Sequence, residues 1–426
     1  MDPDVSEYYY LSSQDSIVEL CSLGDNISEV LGQEDLFGKC LLDYFLDKDS
    51  ELRKYYGAED SKWATGLGTN LRYHFNQAAL FSTKKIKFQA DCLPIVILGN
   101  TYITNSTLQN SAGKNYAVGD QDFVRSQVIA KVKKLIWVTY RRNFRPLQKP
   151  NGDLLTSDAG WGCTIRVGQM LFLHCLQKHF NIENQNPYYL IELIQENLLG
   201  APFSLHSITN IGREFEKSPG DWYAPSTMCL AIQKFTEMYS VPNFKSVVFM
   251  DCVMYKDQIL HMACEDRVWK YGILVLVPLM LGLRQIQPEY YEALKFFLEA
   301  KESVGVIGGK PKSALYLIGY QDNNLIYLDP HLVQKACKNE QDLLNNLHTY
   351  MAESPRTISF QQAESSIALG FYFGSLESFK NFEQEVEERK PLIRGVISIQ
   401  EHTPPYYYEE PDLEVITSEE EDYVML

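Results

Sequence analysis

In the stretch "TSDAGWGCTIRVGQMLFLHCL", Cys163 follows a Gly-Trp-Gly and precedes a long apolar run, a setting in which a thiol can act as a nucleophile. The reactive species is the thiolate, and the free N–H groups and positive dipole end of a helix N-terminus favour it. Gly160 and Gly162 remove side chains that would hold a substrate backbone away. A cysteine before an apolar run is also simply a small core hydrophobe, so the chemistry requires a second element. "NLIYLDPHLVQ" offers one. Asp329 and His331 stand two apart on a predicted strand, which turns both side chains to one face with Cα atoms about 6.5 Å apart. The carboxylate can then hold one imidazole nitrogen and fix the tautomer while the other faces the thiol, the logic of nucleophile, base and orienter. Pro330 between them points away and limits backbone freedom. Taken alone, Asp-Pro-His also reads as a capped turn that ends a strand.

The elements that must carry these residues are visible in the apolar pattern. Ile165 to Leu176 is apolar around most of a helical circumference, interrupted by Arg166 and Gln169, which predicts a buried helix opening near Cys163. "CLPIVILGNTYI" reads as a strand and a turn at Gly99 and Asn100. Val124, Val128, Val132, Leu135 and Ile136 recur at helical spacing and lead into "TYRRNF", with Tyr140 as an amphipathic aromatic at the helix end. "YGILVLVPLML", "SVGVIGG", "SALYLIGY" and "NLIYLDPH" predict four strands, the last two joined as a hairpin by "QDNN", with a helix at "EYYEALKFFLEA" between the first two. Residues 181–270 mix short helices and loops without a clear division. Residues 1–85 form an acidic extension with one plausible helix in "ISEVLGQEDLFGKCLLDYFLDK", residues 86–395 the main α/β (α+β) domain, and residues 396–426 an acidic tail expected to be disordered.

Charge and composition exclude several classes. The 426 residues carry −16, yet residues 1–60 hold fifteen Asp and Glu against four Lys and Arg, and residues 401–426 hold nine against none. The body between them is therefore about +4, with bases gathered in "RSQVIAKVKKLIWVTYRRNFR", a solvated helix face or an anionic-surface contact. No recognition motif for nucleic acid accompanies it. The longest apolar run, "GILVLVPLMLGL", has twelve residues and a proline where a spanning helix needs about 20, so no transmembrane segment is expected. Nine cysteines without paired spacing, behind an acidic N-terminus without an apolar signal core, place the chain in the reducing cytoplasm. "HMAC" at 261–264 brings only two metal-ligating side chains together, too few for zinc, and "VGVIGGKP" lacks the phosphate-loop spacing. Neither a metal nor another cofactor is expected.

Six segments in order, "TYRRNF", "SDAGWGCTIRVGQM", "GDWYAPST", "VGVIGGKPKSALYLIGY", "IYLDPH" and "SSIALGFYFGSLESF", together resemble the signatures of the autophagin family of cysteine peptidases, over roughly residues 93–390. The resemblance implies a papain-like fold with a small auxiliary subdomain in the middle third. It implies cleavage of a ubiquitin-like autophagy modifier (GABARAP-like) just after a glycine near its C-terminus, and release of that modifier from phosphatidylethanolamine on membranes. By position, Cys163 matches the nucleophile, His331 the general base, Asp329 its orienter, Tyr140 an oxyanion donor and Trp222 an aromatic cover over the entrance. Trp161 and Trp222 are expected to crowd the site so that only glycine fits before the scissile bond, and Lys301–Val304 matches a regulatory loop in which Lys301 replaces a proline. In "SEEEDYVML", Tyr423 and Leu426 behind an acidic run resemble a modifier-binding motif, with Tyr8 and Leu11 a weaker copy; biased tail composition gives the same spacing. Two other readings use the same residues: a scaffold that only binds the modifier, and another Cys/His/Asp hydrolase such as a ubiquitin-directed peptidase. The order of acid before base, two residues apart, distinguishes this chain from the usual papain order.

Overall fold

The computed structural model describes residues 93–104, 116–119, 121–198, 200–352 and 355–404. The helix expected within residues 1–85 and both tail motifs, Tyr423 with Leu426 and Tyr8 with Leu11, lie outside the described residues. β1 (Ile95–Ile97) turns through Leu98 and Gly99, at φ 45° and 74°, into β2 (Asn100–Thr104). Two successive residues at positive φ make the tight turn whose twist suits an antiparallel pair. β3 (Tyr116–Gly119) joins β2 in parallel. α1 (Gln121–Lys133) buries Val124, Val128 and Val132 as their spacing predicts, but it ends before Leu135 and Ile136, which are buried beyond it. Tyr140 then opens β4 (Tyr140–Gln148), paired with β5 (Leu154–Ser157), so it begins a strand and does not close a helix as the periodicity implied.

α2 (Cys163–His179) is buried from Cys163 to Gln177, the outcome expected of a helix apolar on nearly every side. Residues 181–270 resolve into α3 (Tyr188–Glu192), α4 (Leu205–Ile211), α5 (Pro225–Met238), β6 (Phe244–Val248), β7 (Val253–Tyr255), α6 (Lys256–Ala263) and a short hairpin of β8 (Cys264–Glu265) and β9 (Val268–Trp269). Their local signals are capping ones: the Ser204 hydroxyl accepts from Ser207 N at 3.3 Å, and Pro225 supplies the first turn of α5. Phe172 of α2 meets Phe203 at 4.5 Å and Phe235 of α5 at 5.5 Å between ring centroids, which locks this region to α2.

The predicted strands follow as β10 (Gly272–Gln285), β11 (Ser303–Lys310), β12 (Ser313–Gln321) and β13 (Asn324–Leu328), with α7 (Tyr291–Glu299) after β10. β14 (Val333–Lys335), α8 (Glu340–Asn345), β15 (Arg356–Ser359), β16 (Glu364–Phe373), α9 (Leu376–Glu388), α10 (Lys390–Ile393) and β17 (Ser398–Gln400) complete the described chain. One sheet runs β3-β2-β1-β12-β11-β16-β10-β6, with β13 and β15 added beside β12, while β14, β4 and β5 form a second. Along β10 the side chains alternate between two cores, Leu274 and Leu276 toward α2 and Ile273, Val275 and Val277 toward α7 and α9. Burial on both faces is why this strand reads as a continuous apolar run. Residues 396–404, expected to belong to the disordered tail, are instead held in the fold: β17 pairs with β7, and Thr403 donates through both its N–H and hydroxyl to Asp257, each at 2.7 Å.

Candidate active site

Segments far apart in sequence meet at the first turn of α2. Tyr140 N donates to Pro330 O at 2.8 Å and Val333 pairs in parallel with Tyr140, so the Asp329–His331 turn lies against the start of β4. β13 ends at Leu328, which leaves Asp329 and His331 on a turn and not on the predicted strand. Pro330 has no N–H to continue the ladder, and hydrogen bonds local to the turn set the geometry instead. Asp329 Oδ1 accepts from His331 Nδ1 at 2.7 Å and from His331 N at 3.0 Å. Trp137 Nε1 holds Asp329 O at 2.8 Å, and Arg356 Nη1 stands 3.4 Å from Oδ2. Because an ionised carboxylate only accepts, Nδ1 carries a hydrogen. Nε2 is left for the Cys163 thiol and for Ser313 Oγ, 3.2 Å away.

The electrostatics favour an ion pair. Burial opposes a charged His331, but the hydrogen bonds and charges of Asp329 and Cys163 outweigh it and push its pKa up to about 9. Burial likewise opposes the Cys163 thiolate, yet His331, the Ala314 N–H and the Tyr140 phenol bring the thiol below its ordinary pKa. Asp329 is buried too and still falls below the usual carboxylate range, through His331 first and Arg356 after it. Tyr140 is held well above the ordinary phenol value by burial and by the adjacent thiol, and its oxygen accepts from the Gly160 N–H. Its ring lies edge-on to His331 at 5.3 Å. A protonated phenol beside the unpaired N–H groups of a helix N-terminus forms a donor set for negative charge developing on an acyl oxygen.

A pH dependence follows. Between the depressed thiol pKa and about 9 the thiolate–imidazolium pair predominates. Alkylation of Cys163 by iodoacetamide should therefore stay fast at neutral pH, where an ordinary cysteine of pKa near 8.5 is mostly protonated, and fall as pH drops through the lowered value. kcat/KM should be bell-shaped with an alkaline limb near pH 9, where the imidazolium is lost. In Asp329→Asn that limb should move down, since the carboxylate is the largest influence raising His331. An alkaline limb unmoved by this substitution would contradict the pairing.

Trp222 is 40% exposed and its Nε1 donates to Gly160 O at 3.0 Å, so the ring lies over the turn that carries Cys163 and is not a core anchor. Trp161 is only 6% exposed, donates to Ser157 O at 3.0 Å and packs into the main core. The expectation for Lys301–Val304 is corrected by its position. Lys178 Nζ donates to Lys301 O at 2.7 Å, and Lys178 stands fifteen residues along α2 from Cys163, about 22 Å away. The turn that borders the site is the one between β11 and β12, whose following residues Ser313 and Ala314 contact His331 and Cys163. Sequence reasoning also missed Trp137, Arg356 and the buried group of Asp158, Arg166 and Glu196. One signal was present: Arg166 and Gln169 interrupt an otherwise apolar helix, and Gln169 Oε1 accepts from Arg166 Nη1 at 3.0 Å. No cluster of metal-ligating side chains occurs among the described residues.

This mixed α/β fold is papain-like, and the chain is a cysteine peptidase. A model of the peptidase C54 catalytic domain matches residues 125–385, so the chain belongs to the peptidase C54 family, the autophagins. Among its relatives, the cysteine protease ATG4D of Xenopus laevis is 32% identical over 328 residues, 62% of this chain and 69% of that protein. ATG4A of Mus musculus is 30% identical over 66% of this chain and 80% of its own length, and ATG4B of Gallus gallus 28% over 73% and 88%.

Proposed function

We propose that the chain cleaves a GABARAP-like ubiquitin-like autophagy modifier after a glycine near its C-terminus, maturing the precursor and freeing the modifier from phosphatidylethanolamine. The observation that carries this is the thiol at the N-terminus of α2 with a carboxylate-held imidazole beside it, in a member of this family. The Cys163 thiolate attacks the glycine carbonyl, and Tyr140 with the Cys163 N–H stabilises the oxyanion. His331 gives its Nε2 proton to the departing amine, whether peptide or phosphatidylethanolamine, and then takes a proton from the water that hydrolyses the thioester. Asp329 keeps the imidazole oriented throughout. The 1% exposure of Cys163 supports a site that a thin, glycine-ended chain enters once Trp222 moves aside.

A macromolecular substrate suits the surface beside the site. Met280 pairs with Ser366 and Gly309 with Ala314; continuing the β11–β16 register two residues beyond Ile307 opposite Ala368 puts the two pairs in one row, with Met280 about 14 Å from Ala314 across three strand spacings. Met280 is 66% exposed and Leu283, just beyond it, 93%, an apolar rim on which a folded modifier can seat. Tyr423 and Leu426 would tether the modifier and raise its local concentration. No helix among the described residues is long and apolar enough to cross a membrane; we assign the chain to the cytoplasm, acting on membrane-bound conjugate from outside the bilayer. The test is to incubate the full chain with modifier precursor and, separately, with modifier–phosphatidylethanolamine vesicles, following both by mass. Cleavage directly after glycine is expected for both, with a glycine-to-alanine precursor cut at least tenfold more slowly. Cleavage of neither, with ubiquitin fusions cut instead, would overturn the assignment.

A further inference from the structure

Asp158 touches no reacting atom, yet it ties together the segments that carry Cys163 and Tyr140. It is wholly buried, and its Oδ1 accepts from Arg141 N at 2.6 Å, one residue after Tyr140. Its Oδ2 meets Arg166 Nε at 2.6 Å in the first turn of α2, three residues after Cys163. Its backbone takes part as well: Asp158 N donates to Arg141 O at 3.3 Å, and Asp158 O accepts from Trp161 N at 3.2 Å and Gly162 N at 2.9 Å. The turn is closed so tightly on the carboxylate that a Cβ at Gly162 would lie 2.7 Å from Asp158 Cβ and Oδ2. Arg166 is braced from the other side by Glu196 and Gln169, and Gln169 Nε2 donates to Phe203 O at 2.8 Å. Stability alone does not call for such a group, because well-packed apolar side chains generally serve as well as a buried ion cluster.

We propose that Asp158 is a positioning residue that sets the separation of the Tyr140 phenol and the Cys163 thiol, so that both reach the same carbonyl during acyl transfer. This rests on the roles given above to Cys163 and Tyr140. Catalytic geometry tolerates little error, a displacement of about 1 Å being enough to cost about 10²-fold in rate. Asp158 also keeps Tyr140 a donor, since its charge is among the influences that hold the phenol protonated.

The experiment is a double-mutant cycle on modifier precursor with Asp158→Asn, Tyr140→Phe and the double variant, with circular dichroism confirming that each is folded. Asp158→Asn should lower kcat about 100-fold with KM within about threefold, in the range for loss of an oxyanion donor. In the Tyr140→Phe background the same change should cost no more than about threefold, because the group it positions is already gone. Alkylation of Cys163 should stay fast at neutral pH, since His331, the larger influence on the thiol, is untouched; loss of the weaker Tyr140 contact should move its acid limb only slightly upward. A role confined to folding would give additive losses. If Asp158→Asn fails to fold, Asp158→Asn/Arg166→Gln/Glu196→Gln removes all three charges of the buried group, leaves none of them unpaired, and enters the cycle in its place. Additive effects, or a kcat within threefold of wild type, would overturn the proposal. Failure of the underlying reading would appear separately, as turnover that survives Cys163→Ala.

Discussion

Cys163→Ala should eliminate cleavage of the modifier precursor, a loss on the order of a million-fold in kcat, while modifier affinity stays within about threefold of wild type. In the proposed function the thiolate does the chemistry, whereas recognition would be spread over the exposed Met280, Leu283 and Trp222. The substitution removes one buried atom at the mouth of α2 and leaves the Asp158–Arg166 pair beneath it in place. Single-turnover cleavage and equilibrium binding, measured on the same preparation, separate the two effects. Turnover above the uncatalysed background would remove Cys163 from the reaction, and lost binding would mean that the thiol region itself holds the modifier.

The second large effect concerns the base and its orienter. His331→Ala should approach the loss seen for the nucleophile, because without the imidazole nothing takes the thiol proton or delivers one to the departing amine. Asp329→Asn should cost about 10⁴-fold, somewhat less. An amide can present an N–H to Nδ1 and favour the wrong tautomer, and it removes the charge that offsets the burial of His331. The two variants should also differ in their thiols: both lose the paired thiolate at neutral pH, but only Asp329→Asn keeps a titrating imidazole. Iodoacetamide rates from pH 5 to 10 read this directly. Equal activity of Asp329→Asn and wild type would mean that the bonds to the backbone of the turn, Trp137 Nε1 to Asp329 O and Tyr140 N to Pro330 O, suffice to hold it without the carboxylate.

Much of what carries this site is local and was legible in the sequence. The apolar circumference of Ile165–Leu176 means a helix buried on all sides, and the Gly-Trp-Gly before it means an abrupt N-terminus, so a thiol at a helix start follows from short-range pattern alone. The four strands around "GILVLVPLML" and "SALYLIGY" were equally clear, because strands buried on both faces write their burial into continuous apolar runs. The side-chain types of Cys163, Asp329 and His331 allowed nucleophile, orienter and base, and the resemblance to the autophagins was what assigned those roles to them.

Convergence was decided only by the tertiary structure. Asp329 and His331 are aimed by a turn that closes on itself and lies against Tyr140, and that contact exists because β14 pairs with β4 across nearly two hundred residues. Periodicity reports which face of a segment is buried but not which distant segment buries it, so Tyr140 was read as a helix end; Lys301–Val304 was matched to a regulatory loop by resemblance, and only the fold puts it beside Lys178, far along α2 from Cys163. The middle third was opaque for a related reason: its short helices are held by caps and by the Phe172–Phe203–Phe235 packing, which no window of a dozen residues contains. Asp158 is the sharpest case, since nothing about a carboxylate before Ala-Gly-Trp-Gly distinguishes a solvated turn from a buried brace until Arg141, Arg166 and Gly162 close around it. A charge is buried only where its partners already stand, and those partners come from β4 and from the start of α2.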